Sequence, residues 1–188
     1  CVSIDLSSSI YFNVSKDKKN VILIKSDFHI LKPLKKFDIV FCRGVLQHTP
    51  DPMLSIKKIH SFVNKGGFVY FDIYKMPKIG YFHPKYCIWR PLIKFFFKYE
   101  KFERFLIKNI KRLLIIKRML KKTLFNSNFL SDSLIPIWDY KGVYDLSDKE
   151  LEQWAIMDTL DGIYAKYDYP QTYQKVKNFL DKNNINII

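Results

Sequence analysis

Four short apolar runs alternate with more polar stretches in the first 75 residues. The runs cover residues 2–4, 21–24, 37–42 and 68–74, and they are rich in the β-branched and aromatic residues typical of buried strands. Before the fourth run, the apolar residues Leu54, Ile56, Ile59, Phe62 and Val63 are spaced as on one side of a helix. This spacing predicts a helix that begins at Pro52, is capped by Asp51 and extends to the turn "NKGG".

A weaker pattern after the first run predicts a helix over residues 10–16, with serines suited to cap it. Buried strands that alternate with helices indicate parallel strands joined by crossover connections. The sequence therefore predicts an α/β fold of the Rossmann-like, doubly wound and mostly parallel kind.

Polar side chains follow the ends of the predicted strands. Asp5, Asp27 and Asp72 fall at or beyond predicted strand ends, and so do Arg43, Gln47 and His48 after the third run. Because ligands of doubly wound sheets lie outside the carboxyl ends of the strands, we expect these residues to form a ligand-binding rim. Any single acid among them is also consistent with a helix cap or a solvated loop.

The composition narrows the class of protein. A chain of 188 residues with 48% hydrophobic residues can form one ordinary domain, or one with a large insertion. Lys or Arg interrupts each apolar run, which argues against a membrane-spanning helix. The three cysteines show neither a disulfide framework nor zinc-ligand spacing, so we expect no metal and a reducing cytoplasm.

The net charge of +14 is concentrated in one segment. Residues 75–130 contain 15 Lys and Arg against two acids, whereas the rest of the chain is nearly neutral. Within it, Phe102, Leu106, Ile110 and Leu114 follow helical spacing among basic residues, which predicts a long amphipathic basic helix.

Three interpretations of this helix remain open. It is a cap whose apolar stripe packs over the sheet edge or the cofactor cleft, an interfacial helix that contacts anionic lipid, or a nucleic-acid site. The aromatic residues share the apolar face instead of alternating with charges for base stacking, which disfavours nucleic acid.

The segments "VSIDLSSS", "SDF", "FDIVFCRGVLQHTPDP" and "NKGGFVYFD" together resemble successive motifs of class I S-adenosylmethionine-dependent methyltransferases. The later "DTLDGIYAKYDYPQTY" is similar to the carboxyl-terminal region of some bacterial members. The resemblance implies S-adenosyl-L-methionine as the cofactor, with Asp5 on the ribose hydroxyls and Asp27 on the adenine amino group. The residues implied to contact the cofactor are Asp5, Leu6, Asp27, Phe28, Cys42, Arg43 and Gly44.

The reaction implied by the resemblance is methyl transfer to a small or lipid-like acceptor. His48 is the candidate general base because its unperturbed pKa lies near neutrality, although it could equally brace the loop before Pro50. Gln47, Asp158 and Tyr164 are the candidate substrate residues. The alternative is a non-catalytic module of the same fold that binds a membrane surface or an anionic partner through its basic helix.

The chain also departs from the family pattern. Only four residues precede Asp5, so the first strand and its glycine-rich loop are expected to be missing, and the closing antiparallel hairpin with them. We expect a truncated chain that binds cofactor weakly on its own. Three parts are predicted: a partial cofactor-binding core at 1–75, a basic helical insertion or cap at 76–135, and a return to the core at 136–188.

Overall fold

All four predicted strands form in the computed structural model, which describes residues 1–32, 35–124 and 126–186. They are β1 (Val2–Asp5), β2 (Ile22–Lys25), β3 (Phe37–Cys42) and β4 (Val63–Phe71). β1 pairs in parallel with β2, and β3 pairs in parallel with β4. The α/β class with parallel strands is confirmed. Within the described residues the strands make two separate two-stranded sheets, so one continuous doubly wound sheet stays a prediction.

The helix between β3 and β4 starts as expected but ends earlier. α1 (Pro52–His60) has Pro52 in its first turn, and the Asp51 carboxylate accepts hydrogen bonds from the backbone N–H groups of Met53 and Leu54, which confirms the predicted cap. The prediction that the helix runs through Val63 is wrong. Val63 instead pairs with Phe37 at the start of β4.

The predicted turn at "NKGG" lies inside β4 as an irregularity in the pairing. The register moves from Phe37 opposite Val63 to Ile39 opposite Phe68, which leaves extra residues on the β4 side. Gly66 takes a φ of +81° in this bulge, and a Cβ on Gly67 would lie 2.5 Å from the Asp38 carbonyl oxygen. Both positions therefore require glycine for backbone reasons.

The predicted helix at 10–16 is replaced by a short 3₁₀ helix, Ser8–Phe12. The Ser7 side chain accepts a hydrogen bond from the Ser9 backbone N–H at its start. The apolar residues here do not form a continuous helical stripe, because only Ile10 is buried.

Residues 1–75 and 169–188 form one compact unit, the strand unit. In it, one face of the β3–β4 pair packs through Val40, Cys42, Val69 and Phe71 against α1 and against α6 (Tyr173–Lys182). The opposite face is exposed: Ile39 and Phe41 retain more than half of their accessible surface, and Phe41 stacks on Tyr70 at 4.8 Å. The prediction that β3 is buried is wrong, since helices cover only one side of it.

Residues 76–168 form the second compact unit, the helical unit. A single π-helical turn, Lys85–Trp89, leads directly into α2 (Arg90–Phe96). A short 3₁₀ helix, Gly80–Phe82, precedes this turn, and the α-helices that follow are α3 (Tyr99–Thr123), α4 (Asn128–Leu134) and α5 (Asp148–Tyr164). α5 begins with a capping box in which Ser147 and Glu150 each bond the other's backbone N–H.

The predicted basic helix is α3, and its apolar stripe is buried within the helical unit. Phe102, Leu106, Ile110 and Leu114 form a core with Ala155, Leu160 and Ile163 of α5. Lys117 also lies on the stripe and is buried. Its charge is compensated there, because Nζ donates to the Ile137 carbonyl oxygen and lies 2.5 Å from Asp132 Oδ1. The stripe is thus committed to packing against α5.

The two compact units divide the chain at other residues than the three predicted parts do. The strand unit begins with 1–75 and is completed by 169–188, whereas 136–168 pack within the helical unit. The three-part domain division at 1–75, 76–135 and 136–188 stays a prediction. None of the described helices combines the length and the apolar composition needed to cross a bilayer.

Candidate functional site

The parallel pairing of β1 and β2 brings two predicted cofactor residues to one edge of the sheet. Asp5 ends β1 opposite Lys25, and Asp27 lies two residues beyond Lys25. The backbone N–H and the hydroxyl of Ser7 both donate to Asp5 Oδ1, at 2.7 and 2.8 Å. Oδ2 of this exposed carboxylate has no partner among the described residues, and the Leu6 side chain beside it is also exposed.

This arrangement fits the adenosine part of S-adenosylmethionine. An ionised carboxylate oxygen without an internal partner can accept hydrogen bonds from ribose hydroxyls. An exposed leucine next to it offers an apolar surface to a purine ring. Asp5 and Leu6 therefore have the chemistry that the resemblance requires of them.

Asp27 belongs to a chain of hydrogen bonds that reaches α1. Its Oδ1 accepts from the His29 backbone N–H at 2.9 Å and lies 2.8 Å from His29 Nδ1. His29 Nε2 lies 2.8 Å from the Ser55 hydroxyl, which lies 2.7 Å from the Thr49 hydroxyl. The backbone hydrogen bond from His29 lowers the pKa of Asp27, so the carboxylate stays ionised near neutral pH.

The hydrogen-bond chain has an Asp-His-Ser order, but its serine is structural. Ser55 is fully buried and lies on the second turn of α1. Its hydroxyl also lies 2.8 Å from the Asp51 carbonyl oxygen. The chain therefore holds the residues after β2 against the start of α1, with Phe28 stacked on His29 at 4.1 Å.

The ends of β3 and β4 meet in the same way. The Asp72 carboxylate accepts a hydrogen bond from the Gly44 backbone N–H at 2.6 Å, and its other oxygen lies 3.7 Å from Arg43 Nε. Gly44 has a φ of +70°, a left-handed conformation that glycine adopts without strain. Arg43 thus has an acidic neighbour that balances its charge.

Cys42 lies at the end of β3, partly buried beside Asp72. Burial raises the pKa of its thiol to about 11, and the negative charge of Asp72 adds to the effect. Near neutral pH this thiol is therefore protonated and a poor nucleophile.

Gln47 and His48 follow in a short 3₁₀ helix, Leu46–His48. Gln47 is fully buried. Its backbone carbonyl oxygen accepts a hydrogen bond from the Tyr169 backbone N–H at 2.9 Å, and this bond holds the start of residues 169–188 in place. His48 is half-buried, and its ring meets that of Tyr74 edge-on at 5.5 Å. Both residues lie on the segment that joins the β3 end to α1.

Asp158 and Tyr164, the other predicted substrate residues, lie on α5 in the helical unit. The Tyr140 hydroxyl donates to Asp158 Oδ2. The Tyr164 hydroxyl donates to the Phe97 carbonyl oxygen at 2.8 Å, and burial raises the pKa of this tyrosine. Each side chain thus has a partner within its own unit, and their role toward a substrate stays a prediction.

Sequence reasoning missed His29 and Ser55. His29 is two residues from Asp27, so its proximity was available from the sequence, but nothing there indicates that it reaches α1.

Among the described residues, no three His, Cys, Asp or Glu side chains are grouped so that they could hold a metal ion.

Comparisons with known proteins match the first part of the chain. A family model described as "Methyltransferase domain" matches residues 1–71. The tRNA U34 carboxymethyltransferase of Nautilia profundicola is 50% identical over 38 residues, and that of Campylobacter hominis is 47% identical over 38 residues. Each match covers 20% of this chain and 13% of the relative's length.

The residues matched by the family model include Asp5, Asp27 and the end of β3, and they stop at Phe71, one residue before Asp72. Members of this family take the methyl group from S-adenosylmethionine. The match to a methyltransferase domain thus covers residues 1–71, and it supports the resemblance of this part of the chain to class I S-adenosylmethionine-dependent methyltransferases.

Proposed function

We propose that this chain functions in S-adenosylmethionine-dependent methyl transfer and that residues 1–71 bind the adenosine side of the cofactor. The observation that carries the proposal is the β1–β2 edge within the segment matched to the methyltransferase domain, where Asp5 ends β1 and Asp27 lies two residues beyond the end of β2. Asp5 would accept from the ribose hydroxyls and Leu6 would pack on the adenine. Asp27 would accept from the adenine amino group, next to the backbone of Phe28.

When bound, the cofactor would supply a methyl group on a sulfonium sulfur. The acceptor would bond to the methyl carbon as the carbon–sulfur bond breaks and the neutral thioether leaves, so the protein chiefly aligns the reacting groups. We place Cys42, Arg43 and Gly44 beside this centre. The raised pKa keeps the Cys42 thiol neutral, so that it does not compete for the methyl group. The Asp72 carboxylate balances the charge of Arg43, which reduces its repulsion of a cationic sulfonium.

His48 remains the proposed general base. It is half-buried on the segment that follows the β3 end, where an acceptor would approach a methyl group held near Cys42. Loss of His48 should lower the rate of transfer to an acceptor that must lose a proton, while the affinity for cofactor stays the same. The buried position of Gln47 supports a bracing role for it through the main chain.

Two acceptor classes are supported by different observations. The tRNA-modifying relatives favour a nucleic-acid acceptor. The outward side of α3 agrees with this, because it carries four exposed basic side chains that have no acidic partner within 4 Å among the described residues. They are Lys101, Arg104, Lys108 and Lys111. A small or lipid-like acceptor is the expectation from the sequence. Incubating the full gene product with radiolabelled S-adenosylmethionine and cell extract, then counting the RNA, lipid and small-molecule fractions, separates these classes.

Cofactor binding is tested by titration calorimetry on the full gene product and its Asp5→Asn variant. Each charge-assisted hydrogen bond lost at the ribose is worth roughly 1.5 to 3 kcal/mol, so we expect Kd to rise about 10- to 150-fold per bond. Asp17→Asn, the same change at an exposed acid, is the matched control and should leave Kd unchanged. Equal affinities of the two variants would show that Asp5 does not bind the ribose.

A further inference from the structure

The helical run 85–96 presents apolar side chains to solvent. Ile88, Leu92, Phe95 and Phe96 are spaced three or four residues apart and so share one face of this run. Phe95 and Phe96 are 83% and 68% exposed, and Ile88 and Leu92 are each nearly half exposed. Most surface helices have polar residues at such positions, so this face is unusual.

The other side of the same run is already used for packing. Ile93 is buried in the core of the helical unit, and Trp89 packs against that core. The Trp89 indole N–H also donates to the Ser133 carbonyl oxygen at 2.7 Å. The outward apolar side chains are therefore additional to those that the fold requires. A contiguous exposed apolar face of this kind marks a binding surface.

Positive charge is concentrated in the sequence around this face. Residues 73–99 contain six Lys and Arg and no Asp or Glu, and two of the six, Lys85 and Arg90, pair with the buried Asp168. In the sequence, Lys94 directly precedes Phe95 and Lys98 follows Phe96 by two residues. Both lysines are exposed, and neither has an acidic side chain within 4 Å among the described residues. A partner that complements such a face offers both an apolar region and negatively charged groups.

We propose that the outward face of the helical run 85–96, called the Phe95 face below, docks on an anionic lipid surface. The phenylalanines and Leu92 would enter the boundary between headgroups and acyl chains, while Lys94 and Lys98 contact anionic headgroups. This inference does not rest on the proposed methyl transfer. It moves the membrane contact away from α3, whose apolar stripe is buried against α5.

Other occupants fit the same face less well. Nucleic acid could stack on the phenylalanines, but the aliphatic Ile88 and Leu92 add nothing to base stacking or phosphate binding. A second copy of this chain would place Lys94 and Lys98 opposite like charges, which opposes association. A bilayer with anionic headgroups satisfies both the aliphatic and the cationic side chains.

Co-sedimentation of the purified chain with phosphatidylcholine vesicles, with and without phosphatidylserine, tests the proposal. We expect binding to the anionic vesicles that weakens as salt is raised. The Phe95→Ser/Phe96→Ser variant should lower the partition coefficient at least about tenfold through lost apolar contact. Lys94→Gln/Lys98→Gln should lower it by about fivefold per charge. The replaced side chains are exposed, so both variants should fold and should give the circular dichroism spectrum of the parent chain.

Matched controls use the same changes in the strand unit. Phe12→Ser removes another highly exposed phenylalanine, and Lys18→Gln/Lys19→Gln removes two exposed charges, so both should bind vesicles like the parent chain. A Phe95→Trp variant should keep binding and show fluorescence quenching by brominated lipid. Absence of vesicle binding, or equal loss in the Phe12 control, would overturn the proposal. If the parent chain does not bind vesicles, but the Phe95/Phe96 variant loses RNA binding or self-association, the face binds RNA or a second copy of the chain instead of lipid.

Discussion

Replacing Asp168 by alanine is expected to destabilise the helical unit strongly. The Asp168 carboxylate is completely buried, and its Oδ2 lies 2.8 Å from Lys85 Nζ and 3.1 Å from Arg90 Nη1. Both cations are themselves largely buried. Lys85 also lies over the rings of Tyr86 and Trp138 at 4.8 and 5.1 Å. One acid thus stabilises two cations inside the unit.

The expected magnitude follows from what the substitution leaves behind. Removing one partner of a buried ion pair costs about 3 to 5 kcal/mol, because the remaining charge stays desolvated without compensation. Here two cations would lose their carboxylate. Arg90 keeps one hydrogen bond, since its Nη2 donates to the Ala165 carbonyl oxygen at 2.7 Å. We therefore place the loss of unfolding free energy within that range and attribute most of it to Lys85.

Guanidinium denaturation followed by tryptophan fluorescence measures this loss directly. All three tryptophans, Trp89, Trp138 and Trp154, lie in the helical unit, so their emission reports on that unit. A second substitution tests the cause. In the Asp168→Ala/Lys85→Met variant one of the two uncompensated charges is removed and only that of Arg90 remains, so the loss should be smaller than the sum of the two single losses.

The control is an exposed ion pair in the same unit. Asp148 lies 3.8 Å from Lys141, and both side chains are mostly exposed, so Asp148→Ala should cost less than about 1 kcal/mol. The reasoning is refuted if Asp168→Ala costs no more than this control. It is also refuted if the double variant is strictly additive, because the carboxylate and Lys85 would then be uncoupled.

Three further outcomes follow from single sites. Cys42, with its pKa raised to about 11, should react with iodoacetamide at pH 8.5 roughly a hundredfold more slowly than the two exposed cysteines, as mapped by mass spectrometry. Gly162→Ala should cost about 1 to 3 kcal/mol in denaturation, because its Cβ would lie 2.7 Å from the Trp138 ring. Asp27, whose pKa is lowered by the His29 backbone N–H, stabilises the fold above its unfolded pKa. Its advantage over Asp27→Asn should therefore shrink as the pH falls through the lowered pKa, and a constant difference in unfolding free energy from pH 6 to 3 would contradict this.

Much of the strand unit was predictable because its signals are local. The β-branched runs predict β1 to β4, and the Asp51–Pro52 pair predicts the start of α1, since caps and strand propensity act between near neighbours. The placement of Asp5 and Asp27 at one edge also follows from the sequence, because parallel strands end on the same side.

The long basic helix was predictable for the same reason, but not what covers it. The spacing from Phe102 to Leu114 indicates one buried face without naming the surface that buries it. The structure shows that α5 buries this stripe inside the helical unit. An apolar stripe carries the same pattern whether a helix, a sheet or lipid lies against it.

Contacts between distant residues were decided only by the tertiary structure. Nothing in the sequence joins Asp168 to Lys85 and Arg90, 83 and 78 positions away, or His29 to Ser55. Nor does it show that Ile39 and Phe41 are exposed while Phe71 is covered. Periodicity and capping depend on neighbours within a few residues, whereas burial, ion pairing and pKa depend on which remote segments the fold brings together.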